Sequence, residues 1–119
     1  MATINITAQT FAETLENNHI VFVDFWAAWC GPCRMFAPVY QAASARHPDI
    51  TFAKLDTEAE QALSAAAGIT AIPTLMAFRG KTLVFSQPGA LNAADLEEVI
   101  QEVKDLELAN AAQDPQLPA

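Results

Sequence analysis

Residues 19–26 form an almost uninterrupted run of β-branched and aromatic side chains. A continuous apolar run of this length is typical of a central strand that is buried on both faces of a sheet. Such a strand needs a layer of structure on each side, which favours an α/β fold. The chain has 119 residues, 52% of them hydrophobic, which is enough for one core and too little for two ordinary domains. We therefore expect a single domain.

Strands and helices are predicted to alternate along the first half of the chain. Short apolar segments at residues 3–6 and 50–56 predict two further strands. Each is followed by the spacing of a capping box, in which a threonine and a glutamate three residues later bind free N–H groups at a helix start. The two predicted boxes are Thr10 with Glu13, for a helix reaching about Glu16, and Thr57 with Glu60, for an alanine-rich helix that Gly68 can close.

The second half of the chain predicts a hairpin and a final helix. Strands at residues 74–79 and 83–86 flank Gly80-Lys81, and glycine at the first central position suits a type II′ turn. Asn92 is the predicted N-cap of the last helix, with leucines on either side of it as a hydrophobic staple. The domain is predicted to span residues 1–108. Residues 109–119 are polar, contain two prolines and show no periodicity, so we expect a disordered tail.

The chain's two cysteines lie in the segment Trp29-Cys30-Gly31-Pro32-Cys33, directly after the central strand. We predict that a helix begins at Cys30 and continues to about His47. A sulfur at a helix N-terminus faces unpaired N–H groups and the positive end of the helix dipole, which favour the thiolate. Cys30 is therefore the predicted nucleophile, and Cys33, one turn into the helix, is the predicted shielded thiol.

Composition limits the possible partners and compartment. The net charge of −8 disfavours binding to nucleic acid or to an anionic membrane surface. The chain has no apolar run of the roughly 20 residues that span a bilayer, and its first residues lack the pattern of a signal peptide. We expect a cytoplasmic monomer. In a reducing compartment, a close cysteine pair favours a catalytic or metal-binding role over a structural disulfide.

Between about Ile4 and Lys104 the sequence resembles the thioredoxin family, and its active-site motif is that of the bacterial cytoplasmic type. The resemblance implies a thioredoxin fold: a central, mixed, five-stranded sheet with helices on both faces. The matching residues are Val23-Asp24-Phe25-Trp26-Ala27-Ala28-Trp29-Cys30-Gly31-Pro32-Cys33, Pro38, Ala53-Lys54-Leu55-Asp56, Gly68-Ile69, Ile72-Pro73-Thr74 and Gly89-Ala90-Leu91.

The resemblance also implies a function, the reduction of protein disulfides. Cys30 would attack a target disulfide, and Cys33 would resolve the mixed disulfide and leave a redox-active Cys30–Cys33 bridge. Gly31 and Pro32 provide no cationic side chain to stabilise the thiolate further, which favours a reductant over an oxidant. The family implies recycling by a separate NADPH-dependent thioredoxin reductase. We expect no bound cofactor or metal, and the chain has no glycine-rich nucleotide motif.

Asp24 is the third predicted catalytic residue. A carboxyl group within the central strand should be buried, which raises its pKa and allows it to take the Cys33 proton, through a water molecule. Lys54 on the adjacent strand is expected to pair with Asp24 when that carboxyl is charged. The sequence alone leaves two other possibilities open: Asp24 could be a polar residue bonded to backbone, and Lys54 a surface lysine lying over the sheet.

The remaining predicted site residues surround the cysteines. The family places a cis proline opposite the active site, so the resemblance implies a cis Ile72–Pro73 bond and leaves the backbone of Ile72 free to pair with an extended target. Trp29 is expected to cover the rim, and Gly89 to lie in the loop that forms one wall of the groove. Pro88, before that glycine, departs from the usual family pattern.

Two other functions are compatible with parts of the sequence. The cysteines with His19 and His47 would total four zinc ligands, although the predicted strand and helix place these histidines far apart, and we expect both to be surface residues. The chain could also act as a redox-inert scaffold that docks onto a partner enzyme. Replacing Cys33 with serine separates these possibilities, since a scaffold would keep working.

Overall fold

The computed structural model describes residues 3–113, which form five strands and four helices that alternate except where β5 follows β4 directly. In chain order these are β1 (Ile4–Asn5), α1 (Ala8–Asn17), β2 (Ile20–Trp26), α2 (Gly31–Arg46), β3 (Thr51–Asp56), α3 (Gln61–Ala66), β4 (Thr74–Arg79), β5 (Thr82–Pro88) and α4 (Ala93–Gln113). Helix α4 extends five residues beyond the predicted end at residue 108. The rest of the predicted tail, residues 114–119, lies outside the described residues.

The strands form one mixed sheet in the order β1-β3-β2-β4-β5. Strands β1, β3 and β2 are parallel, whereas β4 is antiparallel to both β2 and β5. The predicted mixed five-stranded sheet is therefore confirmed. The strand that carries Asp24 lies at its centre and leads directly into the cysteine motif.

Strand β2 is buried along both faces, as its apolar sequence predicts. Its alternate residues enter two separate cores, because successive side chains of a strand point to opposite faces. One core includes Phe22 and lies beneath α2 and α4, while the other includes Val21 and Val23 and lies beneath α1 and α3. Helices therefore cover both faces of the sheet, and α2 packs above the central strand.

The predicted capping box of α1 is wrong by one turn. The helix begins at Ala8, with Thr7 as its N-cap, and the Thr7 N–H donates to Thr10 Oγ1 at 2.9 Å. The Ala8 N–H donates to the distant Glu60 carboxylate at 3.1 Å. The Thr7–Thr10 pair is local, whereas a partner 52 residues away cannot be recognised from local spacing.

The predicted capping box of α3 is also wrong. The N-cap of α3 is Glu60 and the helix begins only at Gln61, while the Thr57 hydroxyl donates to the Trp26 carbonyl at 3.1 Å. The predicted end is correct. Gly68 has a positive φ of 77°, its N–H donates to Ala65, and the Ile69 N–H donates to Ser64, which is the hydrogen-bond pattern of a Schellman motif.

The hairpin between β4 and β5 contains the predicted two-residue loop in a different conformation. Gly80 and Lys81 have φ values of 57° and 74°. Positive φ at both central positions defines a type I′ turn, so the type II′ prediction is wrong. The Gly80 N–H donates to the His19 carbonyl at 2.8 Å, which ties the turn to the start of β2.

The C-terminal end of α2 is joined to α4 through His47, which is buried and not the surface residue predicted. Its Nε2 lies 3.0 Å from Glu97, and its Nδ1 lies 3.1 Å from Lys104 Nζ. Because an ammonium group can only donate, Nδ1 is the acceptor and Nε2 carries the proton donated to Glu97. Arg46 also binds Glu97, at 2.8 Å.

We expect Glu97→Gln to lower the free energy of unfolding by about 1 kcal/mol at pH 7, a typical value for a partly exposed ion pair. Hydrogen bonds, first from Arg46 and then from His47, hold the pKa of Glu97 below its usual 4.5. A lowered pKa stabilises the fold above the unfolded value, and this contribution disappears as the pH falls below about 4.5. Urea unfolding at pH 7 and pH 3 checks this, with the exposed Glu98→Gln as control. An equal loss at both pH values would contradict it.

Candidate active site

The two cysteines form a disulfide at the start of α2, with their Cα atoms 5.2 Å apart. Cys30 is the N-cap, as predicted, and Gly31 and Pro32 occupy the first helical positions. The Cys33 N–H points at Cys30 Sγ from 3.2 Å. A free helix N–H directed at a sulfur stabilises that sulfur as an anion. This geometry distinguishes Cys30 from Cys33 chemically.

Exposure does not distinguish the two sulfurs in this disulfide form. Cys30 is 4% exposed and Cys33 is 3% exposed, so the predicted contrast between an accessible and a shielded sulfur is not seen in the disulfide. Both pack with Ala27, and Trp26 and Ile72 lie against the same cluster. Ile72 comes from the loop after α3, which is distant in sequence, so the helix alone did not indicate this contact.

Asp24 is fully buried beneath α2. Neither carboxylate oxygen has a hydrogen-bond partner among the described residues, so the alternative of a backbone-bonded aspartate does not hold. Burial raises the pKa of Asp24 to about 7, and the charge of Lys54 opposes this shift. A carboxyl group with a pKa near neutrality can exchange a proton at physiological pH.

Lys54 lies directly opposite Asp24 in the ladder between β2 and β3, yet its ammonium group binds an aromatic ring and not the carboxylate. Nζ lies 4.9 Å from the centre of the Trp26 ring. No hydrogen bond joins Lys54 to Asp24 among the described residues, although the charge of Lys54 still acts on the carboxyl. A cleft of about 290 Å³ surrounds the lysine and is lined by Trp26, Asp56 and Glu60 among others.

The loop before β4 faces the disulfide. The Ile72–Pro73 bond is cis, as the resemblance implied, and the Ile72 carbonyl oxygen lies 3.8 Å from Cys30 Sγ. The Gly89 N–H donates to the Pro73 carbonyl at 2.7 Å, so the predicted wall residue lies next to the proline. The structure therefore places Ile72, Pro73 and Gly89 on one side of the cysteines.

Trp29 is 67% exposed beside the disulfide, and two polar contacts hold its loop in place. The indole N–H donates to Glu58 at 3.3 Å, and Arg34 Nη1 donates to the Ala28 carbonyl at 3.0 Å. Sequence reasoning missed both Glu58 and Arg34. Arg34 follows the second cysteine directly and falls within the first turns of α2. That position was a usable signal that its side chain could reach the loop before the cysteines. Nothing in the sequence indicated that Glu58 would reach the indole.

Another residue that sequence reasoning missed is Tyr40, which is fully buried on α2. Its hydroxyl donates to the Ala53 carbonyl at 2.8 Å. Burial and then the charge of Asp24 raise the pKa of this phenol well above 10. Asp24 is therefore covered by an aromatic side chain that remains neutral.

The four residues of the zinc alternative do not meet. His47 binds Glu97 and Lys104 at the far end of α2, and the His19 carbonyl lies at the hairpin turn. Among the residues that the structure describes, no three or more His, Cys, Asp or Glu side chains form a group able to hold a metal ion. Within the same residues, no helix is long and apolar enough to span a membrane.

A cysteine pair at a helix N-terminus, at the edge of a mixed sheet and facing a cis proline, is the active-site arrangement of a thiol–disulfide oxidoreductase. The thioredoxin family model matches residues 2–102, so this chain belongs to the thioredoxin family. A Streptomyces coelicolor relative, whose name places it among the thioredoxins, is 47% identical over 107 residues, covering 90% of this chain and 80% of its own length. The thioredoxin of Alicyclobacillus acidocaldarius is 41% identical over 105 residues, covering 84% of this chain and 100% of its own.

Structural similarity agrees with this assignment. The structure of Plasmodium falciparum thioredoxin is 30% identical to this chain and has a TM-score of 0.79, covering 84% of this chain and 98% of that one. The chain is therefore a dithiol thiol–disulfide oxidoreductase, and its family reduces protein disulfides.

Proposed function

We propose that Cys30 and Cys33 perform disulfide reduction in two exchange steps. The Cys30 thiolate attacks one sulfur of a target disulfide, the target S–S bond breaks, and one target thiolate leaves. The Cys33 thiolate then attacks Cys30 Sγ, forms the Cys30–Cys33 bond and releases the second target thiolate. The observation that carries this assignment is the Cys33 N–H directed at Cys30 Sγ from 3.2 Å.

The proposal includes Asp24 as the proton acceptor for Cys33. Its pKa of about 7 lies below the usual value of a thiol, near 8.5, and within reach of neutral pH. Because the carboxylate oxygens have no hydrogen-bond partner among the described residues, they are free to accept a proton. Lys54, Gly31, Pro32 and Pro73 have supporting roles: the lysine acts on Asp24, and the other three shape the backbone around the sulfurs.

Target binding is proposed to occur on the surface beside the disulfide. Trp29, Ile72 and Gly89 line this side of the cysteines, and Ile72 presents its backbone to an extended chain, which would bind as an added strand. A cleft of about 220 Å³ lies between Trp29 and Ile72. A disulfide-bonded protein is therefore the proposed substrate, held mainly through its own main chain.

We further propose that a separate NADPH-dependent reductase returns the protein to its dithiol form in the cytoplasm, without a cofactor bound to this chain. A Mycobacterium leprae relative named "Bifunctional thioredoxin reductase/thioredoxin" is 39% identical over 104 residues, covering 82% of this chain and 23% of its own length. That protein carries both activities in one chain. Here the reductase would be a partner.

The test is the reduction of a protein disulfide by the purified dithiol form, in stoichiometric amounts so that no reductase is needed. We expect one target disulfide to open for each Cys30–Cys33 bond formed, counted by mass spectrometry after alkylation. Cys30→Ser is the control and should be inactive. Equal target reduction by wild type and Cys30→Ser would overturn the proposal.

A further inference from the structure

The side chain of Lys54 has two possible partners on the same face of the sheet. Asp24 is opposite Lys54 in the β2–β3 ladder, and Trp26 is two residues further along β2, so both side chains point to that face. In the structure the ammonium group lies 4.9 Å from the centre of the Trp26 ring. The carboxylate of Asp24 has no hydrogen-bond partner among the described residues.

We propose that Trp26 is a positioning residue that holds the Lys54 ammonium on its ring face and thereby keeps Asp24 without a bound cation. The attraction between an ammonium group and an indole ring competes with the ion pair that Lys54 would otherwise form. Trp26 therefore controls the proton affinity of Asp24 through the position of Lys54, and not through a polar contact with the reacting sulfurs. This inference rests on the proposed role of Asp24 as proton acceptor.

Among the groups around Asp24, Lys54 is the charge with the largest influence on the pKa of that carboxyl. From α2, Tyr40 is a neutral phenol whose hydroxyl is committed to Ala53. From β4, the register partner of Asp24 is the apolar Leu75. The charges that share the cleft with Lys54 are Asp56 and Glu60, whose carboxylates accept N–H groups of Glu58 and Ala8.

Electrostatics sets the direction of the expected effect. Burial raises the pKa of Asp24 to about 7 even though the charge of Lys54 lowers it. If the ring is removed, the ammonium group is free to approach the carboxylate and to stabilise its ionised form. The titration midpoint of Asp24 should then fall by about half a pH unit, the equivalent of a typical exposed cation–π attraction.

The experiment is a four-variant cycle of wild type, Trp26→Leu, Lys54→Met and the double variant. The Asp24 carboxyl carbon is titrated by NMR in the disulfide form, in which no thiol ionises. We expect Trp26→Leu to lower the midpoint by about half a pH unit in the wild-type background. In the Lys54→Met background, the same change should have no lowering effect. Trp26→Phe, which keeps a weaker ring face, should give a smaller shift.

Two outcomes would overturn the inference. One is an unchanged or raised midpoint in Trp26→Leu. The other is an equal fall in both backgrounds, which would mean that added hydration, and not Lys54, causes the shift. If Trp26→Leu does not fold by circular dichroism, Trp26→Phe in the two backgrounds provides the same comparison. The titration needs no target protein, so it can contradict the role of Trp26 while wild type still reduces a protein disulfide. Conversely, the titration can support that role even if the wild-type protein reduces no target.

Discussion

Cys33→Ser is expected to lower turnover in protein-disulfide reduction by about three orders of magnitude, because the mixed disulfide can no longer be resolved from within the site. Cys30 keeps its position at the helix N-terminus, and the Cys33 N–H that faces its sulfur belongs to the backbone and remains. The first exchange step should therefore continue. The variant should accumulate as a covalent adduct with its target.

Non-reducing electrophoresis and mass spectrometry would detect this adduct, and added dithiothreitol should release the target. Cys30→Ser is the matched control, since it removes the proposed nucleophile and should form no adduct. A Cys33→Ser variant that turned over at the wild-type rate would contradict the exchange mechanism and favour the scaffold role. An adduct formed by Cys30→Ser would mean that the roles of the two cysteines are reversed.

Asp24→Asn is expected to stabilise the disulfide form at pH 8 by up to about 4 kcal/mol, the equivalent of a pKa raised from 3.8 to about 7. The folded state holds the Asp24 proton more tightly than the unfolded state does. In wild type, stability should therefore fall as the pH rises from about 4 to about 7 and then level off. The neutral amide of the variant does not carry this penalty, so its advantage should be small at pH 4.

Urea unfolding of both proteins at pH 4 and pH 8 measures this difference. Glu13→Gln, a change at an exposed carboxyl on α1, is the control and should have little effect at either pH. The same Asp24→Asn variant should slow the resolving step by about 100-fold near neutral pH, since it has lost the proton acceptor. Unchanged single-turnover kinetics between about pH 6 and pH 9 would contradict the proton-transfer role.

The sequence by itself determined the central strand, the cysteine-bearing helix and the end of α3. These features depend on neighbouring residues: the apolar run of Ile20–Trp26, the sulfur of Cys30 next to its own helix, and the left-handed conformation that Gly68 adopts readily. The resemblance added the mixed five-stranded sheet and the cis bond before Pro73, whereas the order of the strands came from the structure. These three features could be predicted because the interactions that fix them span only a few residues, whereas the caps of α1 and α3 and the type of the hairpin turn were not predicted correctly.

The tertiary structure alone decided the partners of the charged and polar side chains. Glu60 caps a helix 52 residues away, His47 is buried against α4, and Lys54 faces the ring of Trp26, while the Asp24 carboxylate has no hydrogen-bond partner in the part of the chain that the structure describes. Each of these groups has more than one partner of suitable chemistry in the sequence. The choice between them depends on distances of a few ångströms that are set when the helices pack onto the sheet, because electrostatic and hydrogen-bond energies fall steeply with distance and change with burial.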